Sequence, residues 1–390
     1  MKKNHYIIIL LIISCFSCKN KDTNIKCIHF DFDQNMKDIH STGLLKDCKI
    51  IALETRDSVL IGRIDKAIVY KDRLYVATFG DDQSVFIFDL KGNFIHKINT
   101  VGRAPGEYLQ LFDIFINKRN HTLNLLSRID RKVLSYDINN LKLVEIYPIP
   151  ETLYKMFSWQ KGYIGYAGNY TQDENKRYNL WELDSNFQTI NLSVNIDPSW
   201  LGKSSNIKSF SSYKDSLYYI APTDFNVYRY DGKNMSTCHS VNFGKYHLPE
   251  EQISYKKYEE YCWPPNYITT IRKFQETQDY YIYLVLESGQ NRLCLYNKNN
   301  QETNICELTP YTKKYLTTFG NIIDITQDYI ITSVEAADIC EYLKGKNEYV
   351  NFEKNYPEQI HRMREELPDI NEDSNPCIVI YSIQHYSQSS

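Results

Sequence analysis

Three aspartates sit at the start of similar apolar runs far apart in the chain: Asp65 in RIDKAI, Asp113 in LFDIFI and Asp324 in IIDITQ. Carboxylates are hard oxygen donors, and several brought to one axis would hold a divalent cation able to polarise a substrate and activate water. That chemistry would make the chain a metal-dependent hydrolase or lyase. The plainer reading is that aspartates at strand starts accept from nearby backbone amides, and a metal site needs more ligands than these three runs supply.

A second set pairs aromatic rings with polar groups. It comprises Arg103, Glu107 and Tyr108 in GRAPGEYLQLFDIFI, Arg128 and Arg131 in SRIDRK, Tyr170 in AGNYTQDENKR, and Trp263 and Tyr267 in YCWPPNY. Such a mixture suits a sugar or peptide, an apolar ring face with hydrogen bonds around it. Scattered exposed aromatics need no ligand, however, and a chain with 33 tyrosines produces them by chance. GRAPGEY has its own structural logic. Gly102 and Gly106 can take positive φ, Pro105 fixes its own φ and restricts Ala104, and Arg103 and Glu107 are placed to pair across the resulting turn. The chain contains no Gly-x-Ser-x-Gly, His-Glu-x-x-His or phosphate loop. His239 and His247, the close pair of histidines, are expected at the surface. A net charge of -3 with interspersed signs offers no basic face to nucleic acid.

The elements that must position these residues repeat. VFIFDLKGNFIHKI, VLSYDINNLKLVEI, YNLWELDSNFQTINL, NVYRYDGKNMSTCHSV and NRLCLYNKNNQETNICEL each read as strand, Asp or Asn, polar turn, strand. Asp89, Asp137, Asp184, Asp231 and Asn297 mark the turns, where such residues tolerate left-handed backbone and bond their own amides. Two further strand-like runs precede each hairpin. Four short antiparallel strands recurring about every 47 residues predict β-propeller blades. In SVFIFDL both alternating sets are apolar, as a strand covered on both faces requires. Innermost strands are expected near Asp65, Phe112, Met156, Ile207, Ile268 and Asn321, which makes six blades.

The sixth has only three strands of its own, and CKIIALE, Cys48 to Glu54, is free to complete it. The expectation is an all-β, six-bladed β-propeller of four antiparallel strands per blade, closed by an N-terminal strand, with two short helical insertions at Leu248 to Cys262 and Tyr356 to Asp369. Both insertions are expected on the loop face, as lids over the channel or as padding. Cys294 and Cys306 lie symmetrically about a hairpin turn and could face each other as a disulfide.

The N-terminus has Lys2 and Lys3, an apolar run from Tyr6 to Ile13 too short to span a bilayer, then SCFSCKN. This resembles a bacterial lipobox, with Cys18 as the lipidated residue and Cys15 as the alternative. The expected layout is a signal peptide over 1–17, a lipid-anchored tether over 18–45 and the propeller over 46–390.

IIALETRDSVLIGRIDK, VFIFDLKGNFIHKI, GRAPGEY and NPCIVIYSI together resemble the exported six-bladed propeller lipoproteins of Bacteroidetes, relatives of NHL-repeat propellers. In that family the short motif is more often Gly-x-Gly-Pro-Gly-Glu-Tyr, and here Arg103-Ala104 departs from it. The resemblance implies the fold and a place in the cell envelope, with the outer membrane as the expected location, and no defined activity. The expected function is therefore non-catalytic binding of a glycan, peptide or envelope protein through the loop face, without a cofactor. The alternative is the metal-dependent enzyme, with a divalent cation held by Asp65, Asp113 and Asp324.

Overall fold

The computed structural model describes residues 25–173, 175–203, 210–248, 267–287, 289–308, 321–345 and 351–385. The signal segment with Cys15 and Cys18, the insertion around 249–266 with Trp263, and Ile207 lie outside these residues.

Six four-stranded antiparallel blades surround an axis. Blade I is built from Lys66–Tyr70, Arg73–Ala77, Val85–Asp89 and Phe94–Ile98, and blade II from Leu111–Asn117, Thr122–Ser127, Lys132–Asp137 and Leu143–Pro148. Blades III, IV and V start with Lys155–Trp159, Phe210–Tyr213 and Ile271–Glu276. Blade VI has Asn321–Ile325, Tyr329–Val334 and Cys377–Ile383, and its fourth strand is Leu45–Ala52 from the other end of the chain. Ala52 lies opposite Cys377 and Leu45 opposite Ile383, so the two ends zip antiparallel and no blade is left open.

The hairpins form where the turn residues predict them. The carboxylate of Asp89 accepts from the amides of Lys91 and Asn93, Asp137 from Asn139 and Asn140, Asp184 from Asn186 and Gln188, and Asp231 from Lys233 and Asn234. Asn297 does the same for Asn299 and Asn300. Gly92 ends the first of these turns at φ +92°, against the closing strand, and an added Cβ would lie 1.9 Å from the Ala52 carbonyl oxygen.

Six apolar clusters fill the six seams between blades. Val85 and Ile87 pack toward blade II while Phe86 and Phe88 pack toward blade VI, all four fully buried. This is the two-sided burial that SVFIFDL implies.

Several expectations change. Residues 26–44, expected as a tether, belong to the propeller. Lys26–His29 runs parallel along the outer strand of blade IV and Lys37–Asp38 along that of blade V. Ile28, Phe30 and Phe32 are buried there, so the segment is held by apolar burial as well as by backbone pairing.

Cys294 lies opposite Ile305, and Cys306 opposite Leu293. This offset of one residue sends the two thiols to opposite faces, toward blades IV and VI respectively, and both are free. The expected helix near 356–369 spans Pro357–Glu366, and a second, Ala336–Lys344, accompanies it within what reads as polar sequence. Ile339, Tyr342, Ile360 and Met363 extend the apolar seam between blades V and VI. Among the described residues neither helix contributes to the channel wall, and both pad the seam.

Candidate functional site

The axis encloses a cavity of about 740 Å³ that runs from the loop face toward the opposite side. The innermost strand of each blade supplies its wall. Lys66 lies opposite Ala77, Asp113 opposite Leu126, and Lys155 opposite Tyr166, each four residues before the pair that closes the hairpin. The counterpart of Asp113 in blade I is therefore Lys66, and Asp65 stands one residue above it.

In blades II, V and VI the register shifts just before the charged residue, between Leu111 and Asp113, Ile271 and Lys273, and Ile322 and Asp324. A β-bulge inserts one extra residue and re-aims the side chains beyond it. Here it presents Asp113, Lys273 and Asp324 to the channel.

Among the described residues, Lys66, Asp113, Lys155, Lys273 and Asp324 thus line the axis from blades I, II, III, V and VI. Lys66 Nζ lies 2.6 Å from Asp113 Oδ1, bridging blades I and II, and Lys273 Nζ lies 3.1 Å from Asp324 Oδ1, bridging V and VI. Lys155 faces this set from blade III. Burial draws its ammonium down to about 8, helped by Lys66 and Lys273 and opposed by Asp113 and Asp324.

Each aspartate also accepts a backbone amide. Met156 N donates to Asp113 Oδ2 at 2.9 Å, Phe79 N to Asp65 Oδ2 at 2.7 Å, and Ile325 N to Asp324 Oδ1 at 2.9 Å. Asp65 is further held by Arg63 at 2.5 Å. The three carboxylates do line one channel, but each is tied to a cation and to the backbone. Among the described residues no group of three or more His, Cys, Asp or Glu side chains is arranged to hold a metal ion.

At the mouth, Phe112 and Tyr154 join the channel wall, and Tyr154 stacks on Tyr170 with ring centres 5.1 Å apart. The Arg128 guanidinium lies 4.1 Å from the centre of the Tyr154 ring and 4.8 Å from that of Phe112, and it donates to the Tyr154 hydroxyl. Arg128 and Tyr170 are therefore brought together about Tyr154, with the guanidinium 5.6 Å from the centre of the Tyr170 ring. Arg131 is exposed and donates to Gln172 Oε1 at 3.2 Å. Tyr267 is half-buried and packs on the seam between blades IV and V.

GRAPGEY is a turn that ties blade I to blade II. Tyr108 is fully buried, and its hydroxyl donates to the Gln83 carbonyl at 2.5 Å. Glu107 does not take the expected pairing with Arg103. Its Oε2 accepts from the Ala104 amide at 2.8 Å, and Arg103 is exposed. Gly106 takes φ +89°, whereas Gly102 is needed for space: an added Cβ would lie 1.9 Å from Glu107 Oε2.

His239, expected at the surface, is 2 % exposed. Its Nε2 is 2.6 Å from the Tyr283 hydroxyl and its ring stacks on Tyr281. Burial lowers its pKa to about 4. The lysines of the channel are the residues sequence reasoning missed. Their signal lies in the inner-strand alignment, where Lys66, Lys155 and Lys273 stand beside or in place of the acids.

Among solved structures the chain is similar to a Bacteroides fragilis protein described as a "putative exported protein", at 17 % identity and a TM-score of 0.71, over 92 % of this chain and 100 % of that one. It is also similar to a member of the DUF4221 family from Bacteroides vulgatus, at 9 % identity and a TM-score of 0.50, over 87 % of this chain and 97 % of that one. At these identities the likeness concerns the fold. No curated protein matches the chain. No helix among the described residues is long and apolar enough to cross a membrane. The family model described as Domain of unknown function (DUF4934) matches residues 26–382, from the first rim strand to the last strand of blade VI, and the chain belongs to that family.

Proposed function

We propose that the protein is a non-catalytic binding protein of the cell envelope, exported and anchored by lipid at Cys18 to the outer membrane. In this reading it holds part of a glycan, a peptide or a partner protein at the channel mouth on its loop face. The observation that carries the reading is the axial cavity of about 740 Å³, which joins an aromatic rim to a ring of charged groups. Pockets of this size, with apolar walls and a few placed polar groups, are where small ligands bind. The other loop-face candidates contribute less, since Tyr108 is buried and Glu107 serves its own turn.

Calorimetric titration of the purified chain with panels of oligosaccharides and peptides tests this. A ligand of the channel mouth should lose its affinity in Tyr154→Ala, because the half-buried Tyr154 ring lines that mouth. Undiminished binding in that variant would move the site elsewhere. Labelling with radioactive palmitate should disappear in Cys18→Ala; label that persists there and vanishes in Cys15→Ala would relocate the anchor.

The metal-dependent hydrolase or lyase keeps one supporting observation, the presence of Asp65, Asp113 and Asp324 along one channel. A stoichiometric divalent cation in the purified protein, lost in Asp324→Asn, would establish that reading over the first.

A further inference from the structure

We infer that the channel accepts an organic anion, with a carboxylate, sulfate or phosphate group placed among Lys66, Lys155 and Lys273. This rests on the proposed reading of the channel as the binding site and specifies the charge of what enters it.

Donors and acceptors are unequally disposed around the lumen. An ammonium carries three N–H donors, whereas an ionised carboxylate only accepts. Asp113 is 2 % exposed and has both oxygens engaged, one by Lys66 and one by the Met156 amide. Asp65 likewise has one oxygen on the Phe79 amide and the other on Arg63. These two acids are thus turned to the wall. Lys66 and Lys273 each meet one carboxylate in this ring, which leaves further N–H groups on both for the lumen.

Charge points the same way. Among the described residues the cavity wall carries five lysines and four aspartates, a positive excess inside a chain whose net charge is -3. Cations gathered in a concave, partly desolvated site attract an anion more strongly than the same charges spread over a surface. Lys155 adds a reason for a ligand to be held. Its charge is disfavoured by burial and by the two neighbouring lysines, and an anion beside it would offset both.

The test uses the full chain and four probes at low salt: glucuronate, glucose, inorganic sulfate and inorganic phosphate. Glucuronate and glucose differ in carrying a carboxylate or a neutral hydroxymethyl group on the same ring. The expected result is glucuronate binding at least about tenfold tighter than glucose. Displacement by sulfate or phosphate would mark a general oxyanion site, and its absence a carboxylate site; both outcomes support the inference.

Lys155→Met should weaken glucuronate by about tenfold or more, with Lys155→Arg retaining it. Should the methionine variant not fold, the wild-type pH profile serves in its place. Lys155 faces Asp113, Asp324, Lys66 and Lys273, and anion affinity should fall from about pH 7 to about pH 9 as it loses its proton. Equal affinity for glucose and glucuronate, unchanged in the lysine variants, would overturn the anion while leaving the channel as a binding site. Failure of all four probes, together with peptides or neutral oligosaccharides that bind and survive Tyr154→Ala, would overturn both.

Discussion

The closing seam of blade VI and the charged ring at the axis both join residues distant in sequence, but by different forces. At the seam, Cys377, Ile378, Val379 and Tyr381 are fully buried against Leu45–Ala52, and backbone pairing runs the length of both strands. Its strength is spread over many small apolar contacts, so no single side chain is indispensable. At the ring a few ion pairs and amide contacts carry the structure, and removing one partner leaves another charge stranded. The seam tolerates substitution of like for like, whereas the ring is sensitive to each member.

The largest expected effect is at the seam. Deleting residues 45–52 exposes the edge of Cys377–Ile383 and unseats Gly92 from Ala52, so cooperative thermal unfolding should be lost in calorimetry. A deletion variant that retains a sharp transition would show that the ring holds without its clasp.

Next comes the ring. Asp113→Ala strands the Lys66 ammonium and the Met156 amide, and denaturant unfolding should show a loss of about 3–5 kcal/mol. Asp113→Asn, which keeps an acceptor for the amide, should lose less.

His239 provides a buried group that stays neutral, for contrast with the paired charges. Its folded pKa of about 4 lies below the unfolded value of about 6.5, so the unfolded chain binds more protons between them. The associated stability, about 3 kcal/mol, is complete above about pH 6.5 and is lost as pH falls toward 4. His239→Gln should flatten this part of the stability curve; an unaltered slope would assign it to other groups.

The smallest effect belongs to the GRAPGEY turn. Gly102→Ala must displace the Glu107 carboxylate from the Ala104 amide, at a cost of about 1 kcal/mol. Glu107→Ala should cost a similar amount, and the double variant should cost less than the sum, because both changes break one bond.

Hydrophobic pattern and turn chemistry made the frame legible. The alternating apolar sets of SVFIFDL, and Asp89 and its counterparts at their turns, each have a local cause that sequence carries. The ring was only half legible. Asp65, Asp113 and Asp324 stood out as acids, but register makes Lys66 the counterpart of Asp113, and a one-residue bulge decides where Lys273 and Asp324 point. Such shifts are set by pairing across strands and leave little trace in one strand's composition. The same holds for Cys294 and Cys306, where a single step of register separates two thiols that symmetry about the turn would join.

The rim segment that passes blade IV and blade V before reaching blade VI has a mechanical consequence. A pull on the chain near residue 25 meets the parallel pairing of Lys26–His29 first, then that of Lys37–Asp38, and only afterwards the clasp at Leu45–Ala52. Load is therefore dissipated in two expendable attachments, and the wheel stays shut while they peel away.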